Sequence, residues 1–252
     1  MLHTIVVVTL IFIFLTIGDM INRGRIEAIE DQKERGIAAL ELVQKIFHKI
    51  LKASGVTYEV EGMENLTSIP KDEGVMIVGN HRSYFDVVIG YTLVDRPTGF
   101  IAKKEMEKIK PLARWMDYVC CLMIDRDNLK QSLKVIITAI KYVKSGISIW
   151  IYPEGTRSEG ETEEDMLPFK EGSFKIAEKT GCKIVPVSMI HTREVLENHF
   201  PFIKPTHVKV KIGKPILLSE LTDEEKKHVG EYARNAVLEG IKELKKKEME
   251  TL

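Results

Sequence analysis

Seven short apolar runs, spaced so that helices fit between them, constrain this chain more than any other feature. They are Thr57–Val60, Val75–Val78, Gly99–Ala102, Cys121–Ile124, Ser148–Tyr152, Ile184–Met189 and Val208–Ile212. Helical patterns occupy Tyr84–Leu93, Asn128–Val143 and Gly172–Lys179 between them. This alternation predicts an α/β fold, a mixed sheet covered by helices. Folds of this kind place their chemistry in loops beyond the carboxyl ends of strands. A last helix is expected over Asp223–Lys247, with Tyr232, Ala236, Val237, Ile241 and Leu244 on one face.

With 252 residues, 44% of them hydrophobic and 29% charged, the chain can build a sizeable core. Its formal net charge of zero argues against a dedicated nucleic-acid binder. Three cysteines, two of them adjacent (Cys120, Cys121 and Cys182), give no disulfide framework, which points to a reducing compartment and to buried thiols. No Cys or His spacing suggests a zinc site, and no metal is expected.

The N-terminus carries a different signal. From Thr4 to Ile17 the sequence TIVVVTLIFIFLTI is broken only by threonines, and Asp19, Asn22, Arg23 and Arg25 end it. Ile5–Ile17 would be about 20 Å long as a helix, short of a hydrocarbon core of roughly 30 Å. A secretory signal fits badly, because no basic residue precedes the run and no small-residue cleavage site follows. A second helix is expected from about Arg25 to Ala53, amphipathic through Ile37, Leu40, Val43, Phe47, Ile50 and Leu51. Its apolar face suits packing on the domain or lying on a bilayer. The expectation is a membrane-associated segment at 1–54, the first helix dipping into one leaflet, followed by the α/β domain at 55–252. Arg23 and Arg25 place that domain on the cytoplasmic side of the membrane.

The run VMIVGNHRSYFD (75–86) reads as a strand, a Gly-Asn turn, and a helix opened by Ser83. Two helical residues five apart point about 140° from each other, so His81 and Asp86 meet only if His81 stays in the turn. A carboxylate on Nδ1–H would then fix the tautomer and leave Nε2 as a base. The plainer reading is a capping box, with Asp86 serving the helix N-terminus. No serine lies in a nucleophile elbow, so a His/Asp base would activate a substrate hydroxyl.

Two cationic segments follow. GFIAKKEMEKIKPLARW (99–115) leaves a strand with Lys103 at its end, and most of its other lysines read as a solvated face. ISIWIYPEGTRS (147–158) is a strand that breaks at Pro153 into Glu154, Gly155, Thr156 and Arg157. Gly155 permits close backbone approach, and Arg157 offers a planar fork for phosphate, although Pro and Gly are also ordinary turn punctuation.

Together NHRSYFD (80–86), FIAKKE (100–105), YPEGTRS (152–158), LPFKEGSF (167–174) and IVPVSM (184–189) resemble, in order, the 1-acylglycerol-3-phosphate (lysophosphatidic acid) acyltransferase family of the glycerolipid acyltransferases. The resemblance implies acyl transfer from a thioester, acyl-CoA or acyl carrier protein, to lysophosphatidic acid, with no cofactor. It assigns His81 as general base and Asp86 as its orienter. Lys103 and Arg157 would hold the phosphate, Glu154, Gly155 and Thr156 would belong to its pocket, and Pro186 would lie toward the donor side. Two departures stand out: Met106 where the family often has Leu, and no glycine in Pro111–Cys121.

Overall fold

The computed structural model describes residues 1–251. Its helices of six residues or more are α1 (Leu2–Glu27, with a π-helical turn at Phe14–Gly18), α2 (Gln32–Ser54), α3 (Tyr84–Leu93), α4 (Lys110–Tyr118), α5 (Leu129–Lys144), α6 (Lys175–Thr180) and α7 (Val229–Thr251). The strands are β1 (Thr57–Glu61), β2 (Met76–Gly79), β3 (Thr98–Lys103), β4 (Leu122–Ile124), β5 (Ser148–Ile151), β6 (Ile184–Ile190) and β7 (His207–Ile212). They form one sheet in the order β1-β7-β6-β2-β5-β3-β4. β2 to β6 run parallel, while β7 is antiparallel to β6 and parallel to β1, so the sheet is mixed as expected.

Strand alternation divides the core in two. Ile77, Trp150, Val185 and Val187 pack with α2 and α3 on one face, and Val7 of α1 belongs to the same cluster. Met76, Ile149, Ile151 and Ile184 pack with α5, α6 and α7 on the other. Helices on both faces explain why the central strands read as unbroken apolar runs. Pro186 is tolerated inside β6 because it sits at a bulge. The bridge Ile184↔Ile216 and the pair Val187↔Ile212 enclose one more residue on the partner side than on β6.

Four boundaries differ from expectation. The first helix continues through Arg25 to Glu27, and the second starts only at Gln32, where the Asp31 carboxylate caps Glu34 N at 2.8 Å. Gly172–Phe174 belongs to a 3-10 turn (Glu171–Phe174) that leads into α6. The terminal helix is split, a short Asp223–Lys227 turn preceding α7. The lysine-rich second segment contains α4, opened by a proline in its first turn. Within Pro111–Cys121, which lacks glycine, the turn from α4 to β4 still takes a left-handed conformation, at Cys120 (φ 62). All three cysteines are free and buried.

The helix α1 is the one described element long and apolar enough to cross a membrane. One side is fastened to the body. Phe14 lies 4.5 Å from Trp115, Arg114 donates to both oxygens of Asp19 at 2.9 and 3.2 Å, and Tyr118 donates to Glu27 at 2.8 Å. The opposite side exposes Leu2, Ile5, Val8, Phe12, Met20 and Ile21.

Candidate active site

The strands β2 and β5 are parallel neighbours, so the loops leaving their carboxyl ends lie side by side. Asn80 ends β2 by using its side-chain amide as a further rung: Nδ2 donates to Met189 O (2.8 Å) and Oδ1 accepts from Met189 N (2.9 Å). This ties the following turn to β6. His81 therefore stands in the turn, outside α3, as the spacing requires.

His81 Nδ1 lies 2.8 Å from Asp86 Oδ2. The same oxygen accepts from Arg82 N at 2.8 Å and Ser83 N at 2.7 Å, and Ser83 caps α3 in a complete capping box. Both readings of Asp86 hold at once: the residue that caps the helix also fixes the imidazole. Asp86 is fully buried, whereas the His81 side chain keeps 18% exposure, enough for a substrate hydroxyl to approach. Nδ1 is committed to Asp86, and among the described residues none is hydrogen-bonded to Nε2. The Tyr152 ring stacks on the imidazole at 4.1 Å and 9°. Its hydroxyl is buried without a hydrogen-bond partner, and burial holds that phenol well above its ordinary pKa.

Glu154 joins the two loops. Its Oε1 accepts from His81 N and its Oε2 from Leu167 N, both at 2.8 Å. Burial raises its pKa, and the two backbone donors oppose the rise only in part. Gly155 has φ 80, a left-handed conformation that favours glycine, and the end of the Lys170 side chain lies over it. Thr156 is exposed. Arg157 extends over Tyr84, 4.1 Å from the ring centroid, and Nη1 donates to Glu197 Oε1 at 2.9 Å.

Lys103 ends β3, next to β5, at the same edge of the sheet. Its side chain is exposed and pairs with Glu105 at 3.1 Å. It lines a cavity of about 360 Å³ with Lys104, Lys108, Asp125 and Arg126, which does not include His81 or Arg157. The structure thus joins His81, Asp86 and Glu154 through direct hydrogen bonds, links Arg157 to α3 through Tyr84 and Glu197, and leaves Lys103 to one side. Pro186 lies opposite Val78 and lines a separate groove with Gly213 and Ile216, to which His81 does not contribute.

Three further residues support the site. Arg82 is buried and donates to the Gly160 carbonyl at 2.5 Å and to the Thr162 carbonyl, holding the loop after Arg157. Tyr152 packs on the base, and Glu197 receives Arg157. Arg82 and Tyr152 lie inside the quoted motifs. Glu197 is distant in sequence and carries no local signal.

A free imidazole nitrogen backed by a buried carboxylate, beside a guanidinium, suits removing a proton from a hydroxyl on an anionic substrate. The acyltransferase family model matches residues 58–190, and the chain belongs to the acyltransferase family. Its relatives are more particular. The 1-acyl-sn-glycerol-3-phosphate acyltransferase of Borreliella burgdorferi is 29% identical over 192 residues, covering 76% of this chain and 74% of that protein. The Escherichia coli enzyme of the same name is 30% identical over 173 residues, covering 67% of each. The crystal structure of the 1-acyl-sn-glycerophosphate (LPA) acyltransferase from Thermotoga maritima superposes with a TM-score of 0.81 at 26% identity, covering 97% of this chain and 95% of that one.

Proposed function

We propose that this chain transfers a fatty acyl group from a thioester to the sn-2 hydroxyl of 1-acylglycerol 3-phosphate, forming phosphatidic acid for phospholipid biosynthesis. The observation that carries the mechanism is the 2.8 Å contact of His81 Nδ1 with the buried Asp86, which leaves Nε2 available. His81 Nε2 takes the hydroxyl proton as the oxygen attacks the thioester carbonyl. The tetrahedral intermediate collapses, the C–S bond breaks, and the departing thiolate receives the proton from His81. Arg157 holds the acceptor's phosphate, which orients the hydroxyl, and Lys103, which lines a separate cavity in this structure, turns from Glu105 to reach it. Both cations already face a carboxylate, Glu197 and Glu105 respectively, which the phosphate replaces. Glu154, Gly155 and Thr156 shape this pocket.

The donor is acyl-CoA or acyl carrier protein, and no metal or organic cofactor enters the scheme. Residues 1–54 are the membrane-associated segment and 55–252 the acyltransferase domain. The helix α1 lies in one leaflet with its outward face in lipid, because its other face is occupied by Trp115 and Arg114. The domain then sits on the cytoplasmic side, in contact with membrane lipids. The test is an assay of purified protein on a panel of donors and acceptors. Preference for 1-acylglycerol 3-phosphate over glycerol 3-phosphate and over lysophospholipids with larger head groups is expected. Equal use of acceptors lacking phosphate contradicts the reading.

A further inference from the structure

The helix α5 presents an outward face that the fold does not explain. Leu129, Leu133 and Ile137, at i, i+4 and i+8, are 76%, 55% and 53% exposed. They form a straight apolar stripe of about 12 Å along the helix. Lys130, Lys134, Lys141 and Lys144 are all exposed, and none has an ion pair among the described residues. From Asn128 to Pro153 the sequence contains these four lysines and no acidic residue, within a chain whose net charge is zero. The first turn of α5 also lacks an acidic residue, so Lys130 adds positive charge at the positive end of the helix dipole. The isolated chain gains nothing from this arrangement; an anionic partner does.

We infer that the outward face of α5 is a docking surface for an acidic amphipathic helix on a protein that carries the acyl thioester. This rests on the proposed acyltransferase reading. A stripe bordered along one side by Lys130, Lys134 and Lys141 matches a helix with an apolar seam and an acidic border, whereas a nucleotide needs a pocket, and no residue of α5 lines either of the two cavities described above. A bilayer is disfavoured by position. The helix α1 belongs to the cluster on the Ile77–Trp150 face of the sheet, and α5 packs on the Met76–Ile149 face. The position also suits donor delivery. The N-terminal end of α5 follows the carboxyl end of β4, at the edge that carries His81. Only β3 and β5 separate β4 from β2, a span of about 14 Å at three strand spacings, within reach of a long flexible thioester arm.

The test uses the full chain and its K130E/K134E variant, whose exposed, unpaired lysines leave the core untouched. Binding of a fluorescent acidic acyl carrier protein is read by anisotropy, and acylation is read with carrier-borne and CoA-borne donors. The expected result is binding weakened about tenfold, with a matching fall in kcat/KM for the carrier-borne donor and little change with acyl-CoA. L133S should behave similarly without altering charge. Unchanged carrier binding overturns the proposal. So does an equal loss with both donors accompanied by weaker sedimentation with anionic vesicles, which would assign the face to the membrane. Wild-type protein that binds the carrier but acylates with neither donor would instead contradict the acyltransferase reading, leaving the docking surface in place.

Discussion

Arg157 and Glu197 form an ion pair at 2.9 Å, and the same Glu197 oxygen accepts from Tyr84 N, the first amide of α3, at 2.9 Å. The carboxylate joins the Arg157 loop to the helix that carries Asp86, and on the proposed role of Arg157 it competes with the acceptor phosphate. Its second oxygen is buried without a partner. Glu197→Gln retains an acceptor for both donors but removes the competing charge, and the acceptor KM should fall severalfold with kcat little changed. Arg157→Ala should raise that KM about 10- to 100-fold, the range of a lost charge-assisted hydrogen bond. Steady-state kinetics on 1-acylglycerol 3-phosphate checks both, and a KM raised by Glu197→Gln contradicts the competition.

Capping and chemistry at Asp86 are separable. Asp86→Asn keeps a carbonyl oxygen for Arg82 N and Ser83 N but no longer stabilises an imidazolium. It should fold with a Tm close to wild type and lose at least about 100-fold in kcat. Asp86→Ala should lose the cap as well, at about 1 kcal/mol or more. Thermal melts alongside turnover distinguish these, and a fully active Asp86→Asn would reduce Asp86 to a cap.

A pH-sensitive latch holds the C-terminal helix. His191, at the end of β6, contacts Glu194 at 3.1 Å and Glu248 of α7 at 3.0 Å, while its backbone N–H donates to Glu163. Burial alone would lower the His191 pKa, but the two carboxylates outweigh it and the value is raised. A raised folded-state value means that the protonated form stabilises the fold at pH below the ordinary histidine range. That contribution is lost as pH rises through the raised value. Stability should therefore decline in wild type as pH rises from the ordinary histidine range through the raised value, and His191→Gln should flatten this part of the profile. Denaturant unfolding across that range checks it, and identical profiles contradict it.

The proposed membrane attachment through the outer side of α1 is testable by substitution. Lysines in place of Val8 and Phe12, both outward and exposed, should release the protein from vesicles while leaving the Phe14–Trp115 and Asp19–Arg114 contacts in place. Unchanged sedimentation with vesicles would remove α1 as the anchor.

The central strands were legible because burial on both faces leaves continuous apolar runs, whereas β7 shows as an alternating pattern and β1 is only partly buried; all seven appear within one or two residues of their sequence limits. The His81–Asp86 geometry was legible for a local reason, since five-residue spacing excludes a shared helix. The break after Glu27 was hidden because the capping Asp31 stands in the charged run Glu30–Arg35, which reads as one solvated helix face, and α4 because the lysine-rich stretch leading into it reads as solvated surface. Glu197 was illegible for a different reason. Its role comes from a contact between distant segments, and nothing in its neighbourhood marks it. Asp86 shows where sequence reading divides alternatives that the structure unites, because one carboxylate oxygen serves both cap and imidazole.

The central claim is that His81 is the base, and the most direct measurement is acylation of 1-acylglycerol 3-phosphate by purified His81→Ala protein, followed by thiol release. His81 backbone contacts to Glu154 and Ser158 survive this change, so the fold should persist. The expected result is a loss of about 100- to 10,000-fold in kcat with the acceptor KM nearly unchanged. Turnover like that of wild type would contradict the mechanism.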